Sequence, residues 1–520
     1  MYGSDIIRAL GILGLLAALA ACFCEDAAAE QRFAVVVVPG LELDDLESLS
    51  TRGAVGLLVP AAGPRTSEET ARAALVRGRV RNSLRGGVPE GPPLIRFDRR
   101  DRPPLRGPAI VLGLPQGGDQ PNDRRYPIAV LGAGYGGLLE SSSTRIPGIV
   151  SIVDVAPTAL ATPDRLESQP VADPVPRLRR LDDRIEANNA TRPLASLVVW
   201  VSICILAVFS PRAAVLAFAT ALTASLVLGV AGVSTRWAVV AVLALSVLCL
   251  GPLLAFVVRR PEAVAVACVA AIAGYFAAFA ADGRWLALSP LGPTQNARFY
   301  GLSNLLETFM LIPAFVGAVM LARRRPGLFA AVAVLALVTV AGSRFGADGG
   351  GAIVLAAGYA ALTALLARSR GLALLSTAAA GALGVALLFL VDELSGAPSH
   401  VTRTIRGGPD ELAEAFWDRL ALSWARATDR VSTALIVSIA IVALALLVVR
   451  MLGSGTSARR AALPLAVVVA VATSLIVNDS PVDVAVTGLV AYLAIEAYTL
   501  VDVSAAGTLA RHLRITAGAS

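Results

Sequence analysis

From residue 194 to residue 501 the sequence is a succession of long Ala/Val/Leu runs broken by short charged loops. This pattern limits the fold more than any other feature. Crossing hydrocarbon takes about 20 apolar residues as an α-helix, and inside hydrocarbon only helices and closed barrels satisfy their own backbone. The runs predict eleven helical spans, at 194–209, 213–234, 237–258, 263–281, 302–322, 328–342, 351–367, 371–391, 431–449, 461–477 and 484–501. Several fall short of about 20 residues, so flanking residues or neighbouring helices must make up the length. Residues 26–192 are polar, Pro-rich and Arg-rich instead, which predicts a second part of the chain that lives in water. A 56% hydrophobic content with 16% charged residues places the whole in the membrane class. The expected fold is an α-helical polytopic bundle (193–505) with an N-terminal α/β extracytoplasmic domain (26–192).

The charges orient this arrangement. The sequence has no Lys, and its Arg residues cluster at alternate span ends. One side collects Arg212, Arg259, Arg260, Arg323, Arg324, Arg325, Arg368, Arg370, Arg450, Arg459, Arg460, Arg511 and Arg514, and the short loops of the other only Arg236, Arg284, Arg298 and Arg344. The positive-inside rule makes the first side cytoplasmic, together with the tail 506–520. The net charge of +7 is thereby explained by topology, and nucleic acid is not expected as a partner. Ala, Gly and Arg dominate as in GC-rich bacterial coding sequence, so the expected location is a bacterial plasma membrane.

At the N-terminus Arg8 precedes the apolar run Ala9 to Ala21, the layout of an export signal. Leu19-Ala20-Ala21-Cys22 also has the form of a lipobox, and Ile6 to Phe23 could serve as an uncleaved anchor. All three readings of residues 1–25 put residue 26 outside. Cys204, Cys249 and Cys268 fall in spans, and Cys22 and Cys24 are too close in sequence to staple a fold, so no disulfide framework is expected.

Polar residues gather at the outer span ends. Before and within the fifth span stand Arg298, Tyr300, Asn304 and Glu307; between the sixth and seventh, Arg344, Asp348 and a Gly-rich run 346–351; after the eighth, Asp392; before the last, Asn478 and Asp479. Asn304 and Glu307, three apart, share a helix face. The glycines offer backbone N–H groups and the arginines a bidentate fork, both suited to phosphate or carboxylate. Either these groups converge on one outer pocket, or they pair to tie span ends together. Glu496, alone in the last span, is either a proton-coupling group or a helix tie. The outer loop 393–430 holds Leu412, Phe416, Leu420 and Trp424 at four-residue spacing, an amphipathic helix for the outer leaflet or the top of the bundle.

In the soluble part, Phe33 to Val38 ends at Pro39-Gly40 and reads as a buried strand leading to a helix, a second strand ends near Pro60, and Tyr126 to Leu131 continues the pattern. Gly132 to Gly137 lacks dinucleotide-loop spacing. With the segment Ser141-Ser142-Ser143-Thr144-Arg145-Ile146-Pro147-Gly148 through Asp154-Val155-Ala156-Pro157-Thr158, these elements resemble the alkaline phosphatase superfamily over 33–85 and 126–165. The joint layout is similar to membrane phosphoethanolamine transferases. The resemblance implies a metal-binding Asp where this chain has Pro39, and Asp-His pairs where it has none; its only histidines are His400 and His512. No cofactor or metal is therefore expected. Thr66, Ser67 and Thr70 stand near the nucleophile position the resemblance implies, but a hydroxyl without metal or base is a weak nucleophile, and they are better read as a helix N-cap with Glu68 and Glu69 in its first turn.

The expectation is a pseudoenzyme domain on a cell-envelope membrane protein that binds membrane lipids and an anionic, lipid-linked substrate at its outer face, for transfer or translocation. An ion-coupled transporter and a non-catalytic scaffold with envelope protein partners on the soluble domain are the alternatives.

Overall fold

The computed structural model describes residues 31–103, 107–163, 165–293, 299–325, 327–342, 345–347, 349–366 and 408–501. The N-terminal part is a mixed sheet between helices. β1 (Ala34–Val37), β2 (Gly53–Val59), β4 (Phe97–Arg99), β5 (Ala109–Leu112), β7 (Tyr126–Leu131), β8 (Gly137–Glu140), β9 (Ile149–Ser151) and β10 (Glu167–Gln169) form one sheet. Its order is β10-β8-β2-β7-β5-β1-β4, with β9 also on β2; β3 (Arg65–Thr66) and β6 (Gln120–Pro121) form a separate pair. β1 runs parallel to β4 and β5, whereas β7 is antiparallel to both β2 and β5.

Both faces of the central strands β1, β2, β5 and β7 are buried, which is why these are apolar without alternation, whereas the edge strands β4 and β10 are polar and largely exposed. Val35 and Val37 point to the layer of α2 (Glu68–Arg77) and α3 (Val155–Ala159). Val36 and Val38 point to the opposite layer, with α1 (Leu46–Ser50) and the first half of α4 (Pro174–Phe209). That second layer also contains Ala287, Leu288 and Phe299 from the membrane part, so one apolar core crosses between the two regions.

Among the described residues nine helices are long and apolar enough to span a membrane. They are α4, α5 (Pro211–Ala231), α6 (Arg236–Val257), α7 (Pro261–Asp282), α9 (Asn304–Ala322), α11 (Gly349–Leu366), α13 (Val431–Gly453), α14 (Ala458–Val477, apolar from Arg460) and α15 (Pro481–Val501). Numbered with them are the short α8 (Arg284–Ala287), the shorter apolar α10 (Gly327–Ala341) and α12 (Pro409–Thr428), which precedes α13. This is a multi-pass membrane architecture. The expected span 371–391 lies outside the described residues, as do the candidate residues Arg298, Arg344, Asp348 and Asp392.

α4 is the largest departure from the hydropathy reading. Its apolar stretch starts near 194, but the helix starts 20 residues earlier and passes from the sheet domain into the bundle without a break. Arg184, Asn188 and Arg192, one turn apart, brace it: Arg184 Nη2 donates to the carbonyls of Gly229 (2.6 Å) and Leu288 (3.0 Å), and Asn188 to that of Leu288 (2.9 Å). Arg192 reaches the Gly292 carbonyl (2.6 Å) and Asp483 (3.0 Å). These bonds hold the 229–236, 283–293 and 478–483 connections at the sheet-domain end. Arg212, Arg259, Arg260, Arg323, Arg324, Arg325, Arg450 and Arg460 belong to the opposite ends of their helices.

Candidate functional site

Two polar assemblies form at the sheet-domain end of the bundle. The first is built on the start of α9. Ser303 caps this helix, its Oγ accepting from the Leu306 N–H at 3.2 Å, and Asn304 and Glu307 share the first turn. Across from them α14 ends and delivers Asn478 and Asp479. Asn478 Nδ2 donates to Glu307 Oε2 and to Ser474 Oγ, both at 2.8 Å, and Asn304 Nδ2 donates to Asp479 Oδ1 at 3.1 Å. Arg426 of α12 adds a guanidinium 3.5 Å from the other Asp479 oxygen. Glu307 is only 1% exposed. A buried carboxyl is tolerable only when a donor reaches it, and Asn478 at the end of α14 supplies one to Glu307 Oε2, while Asn304 and Arg426 hold the neighbouring Asp479.

Glycines permit the approach. A Cβ on Gly351, in the first turn of α11, would lie 2.4 Å from Val340 Cγ1 and 3.1 Å from Glu307 Cδ. The Gly-rich run is helical from Gly349, while Gly346 accepts the Leu302 N–H at 3.0 Å. Segments 299–304, 345–347, 349–351 and 478–479 thus lie together at this end of the bundle. Tyr300 is the exception, because it turns away from the knot toward the sheet domain.

The second assembly is a cavity of about 640 Å³ between the two parts of the molecule. Its membrane-side wall is aromatic: Phe279, Phe299, Tyr300 and Phe345, with Phe345 stacked on Phe276 (4.7 Å between centroids) and edge-on to Phe279. Its other wall is the sheet edge, with Glu140 and Glu167 facing each other across β8 and β10, and Arg145 and Arg165 beside them. Asp282 and Arg284 at the α7–α8 turn complete it and pair with each other at 2.6 Å. The Arg145 guanidinium lies 4.2 Å above the Tyr300 ring, a cation–π contact across the two parts.

Asp154 explains how Arg145 is placed. Its two oxygens accept from Ser141 Oγ and Ser143 Oγ, each at 2.6 Å, and from the Ser151 N–H at 2.9 Å, folding 141–147 into a tight turn that lines the cavity. Burial holds the Asp154 carboxyl above its ordinary value, against the downward pull of these three donors. Arg145 itself adopts φ +56°, a left-handed conformation costing a non-Gly residue about 1–2 kcal/mol. Strain of this kind concentrates where a side chain must be aimed.

The remaining candidates resolve into local structure. Ser67 caps α2 and forms a capping box with Thr70: Ser67 Oγ accepts from Thr70 N (3.2 Å) and Thr70 Oγ1 from Ser67 N (3.0 Å). Thr66 is buried in β3. Among the described residues no three His, Cys, Asp or Glu side chains gather as a metal site. Glu496 accepts from Arg450 Nη2 at 2.9 and 3.0 Å, joining α15 to α13. Arg426 and Arg145 escape a reading of the sequence by segments. Their only signals are an Arg on the bundle side of an amphipathic helix and an Arg inside the Ser-Thr-Arg-Ile-Pro-Gly turn.

Compared with known proteins, the chain matches no family model, no curated protein and no solved structure.

Proposed function

We propose that this is a plasma-membrane protein of the bacterial cell envelope that binds an anionic, lipid-linked amphiphile at its outer face, in the cavity between sheet domain and bundle. The observation that carries the reading is the cavity's two-sided wall. Four aromatic rings at the level of the span ends suit a hydrocarbon chain, and Arg145 and Arg165, which share the opposite wall with Glu140 and Glu167, suit the phosphate or carboxylate of a headgroup that also carries hydrogen-bond donors. The Arg-rich far end of the bundle supports a cytoplasmic C-terminus and an external sheet domain. The sheet domain then acts as the polar half of a binding site, in keeping with Pro39 where a catalytic metal ligand would be needed. An ion-coupled transporter is less favoured, because Glu496, the acid deepest in the last span, is taken by Arg450.

The test is retention of lipid by the full chain. Purified protein exchanged against a phosphatidylglycerol or an isoprenyl phosphate, with diacylglycerol as neutral control, should retain the anionic probes selectively in native mass spectrometry. Arg145→Ala and Tyr300→Ala should each reduce retention about tenfold, the equivalent of 1.4 kcal/mol. Equal retention of the neutral lipid, or no change in either variant, would overturn the proposal and leave a scaffold as the better reading.

A further inference from the structure

α12 lies where the bundle and the sheet domain meet, and its two sides are unlike. Ser423 and Arg426 turn inward: Ser423 is buried and its Oγ donates to the Leu475 carbonyl at 2.7 Å, while Arg426 approaches Asp479. Trp417 and Trp424, seven residues apart and so on one face, are 64% and 72% exposed. At about 100° per residue the two pairs sit on nearly opposite sides of the helix.

We propose that α12 is an interfacial helix, with Trp417 and Trp424 seated in the headgroup layer of the leaflet on the sheet-domain side. Depth is the first argument. Leu475 is two residues from the end of α14, so the helix bonded to it runs at the level where that span leaves hydrocarbon. Continuity is the second. α12 ends at Thr428 and α13 begins at Val431, and the exposed stripe Val431, Leu435, Ile439 and Leu446 carries the apolar surface from the tryptophans down a membrane-length helix. Trp237, 69% exposed in the first turn of α6, marks the same end of the bundle independently. Indole rings, apolar with one N–H donor, concentrate at this depth in membrane proteins.

The helix is also tied to the sheet domain. Arg85 Nη2 contacts Asp418 Oδ1 at 2.7 Å and the Asp418 carbonyl at 2.6 Å, and Arg65 lies 3.9 Å from Asp429. α12 thus fixes the height of the sheet domain above the lipid, a role independent of what the cavity binds.

The full chain in phosphatidylcholine–phosphatidylglycerol vesicles provides the test. Emission of the unsubstituted chain minus that of W417F/W424F isolates the two tryptophans. Lipid carrying a nitroxide at the headgroup should remove most of this emission, while mid-chain nitroxide and aqueous acrylamide remove little. Ala421→Cys, on the same exposed face and labelled with a solvatochromic fluorophore, should shift to the blue on reconstitution, so the reading survives if the tryptophan variant is unstable. Quenching by acrylamide alone places the face in water and overturns the proposal. So does protection from all three quenchers, which means that another segment or a protein partner covers it.

Discussion

Replacing Asn478 and Glu307 singly and together measures the buried knot directly. Asn478→Leu removes the 2.8 Å donor to a carboxyl that is 1% exposed and cannot turn to water instead. Interhelical hydrogen bonds in membranes average about 0.6 kcal/mol and reach about 1.7, whereas bonds to charged groups in proteins are worth about 1.5–3. The bond here is both short and buried, which places Asn478→Leu at about 1.6 kcal/mol of destabilisation, where those ranges overlap. Glu307→Met leaves Asn478 its second bond, to Ser474, and should cost about 1 kcal/mol. In the double variant neither polar group remains to be left unpaired, so the two costs should fall short of adding by about 1–2 kcal/mol. Unfolding of the full chain in mixed micelles, followed by far-UV circular dichroism against mole fraction of SDS, reads all four corners of the cycle. Additivity within about 0.5 kcal/mol would show that the pair is not coupled and refute the account of Glu307 as a carboxyl held by α14. Lipid retention should be unchanged throughout, since neither residue lines the aromatic-walled cavity.

Three further outcomes are expected. Asp154 has its carboxyl pKa raised above 3.8 by burial, so the folded chain holds that proton more tightly than the unfolded one. Its contribution to stability is full below 3.8 and declines as pH rises through the native value; the difference in unfolding midpoint between the unsubstituted chain and Asp154→Asn should shrink in that direction, and a constant difference would contradict it. Arg145→Gly should relieve about 1 kcal/mol of left-handed strain and keep or raise the thermal midpoint while lowering retention of anionic lipid; loss of stability with binding intact would reverse the assignment. Glu496→Gln keeps an acceptor for Arg450 and should leave lipid retention unaltered, whereas a proton-coupled carrier would lose uptake in reconstituted vesicles.

Hydropathy located the nine membrane-length helices of the described residues because a helix in lipid must be apolar all round, a requirement that leaves long runs such as 213–234 and 237–258. It placed the start of α4 20 residues too late because Pro174 to Arg192 lies outside lipid, where one buried stripe is enough. Val175, Leu178 and Ile185 are that stripe, spaced for a helix but hidden among Arg and Asp. Charge cost similarly made Asn304, Glu307, Asn478 and Asp479 recognisable as residues needing partners. The identity of the partners was not legible, because the Asn478–Glu307 contact joins positions 171 residues apart and depends on how α9 and α14 pack. Tyr300 looked like one more member of that set, and only the fold shows it reaching Arg145, on a strand-edge turn that neighbours it in space and not in sequence.

The unbroken run of α4 makes the sheet domain a mast-mounted body. At a rise of about 1.5 Å per residue, its segment outside the apolar stretch is a lever about 28 Å long, so each degree of tilt in the membrane displaces the far end by about half an ångström. Pro193 removes one rung of hydrogen bonding where the mast enters the bundle, but Arg184, Asn188 and Arg192 act as stays fastened to the 229, 288–292 and 483 positions. The cavity opens between the sheet edge and the aromatic wall. A tilt of that lever therefore changes the spacing of these two walls, which the Arg145–Tyr300 contact bridges.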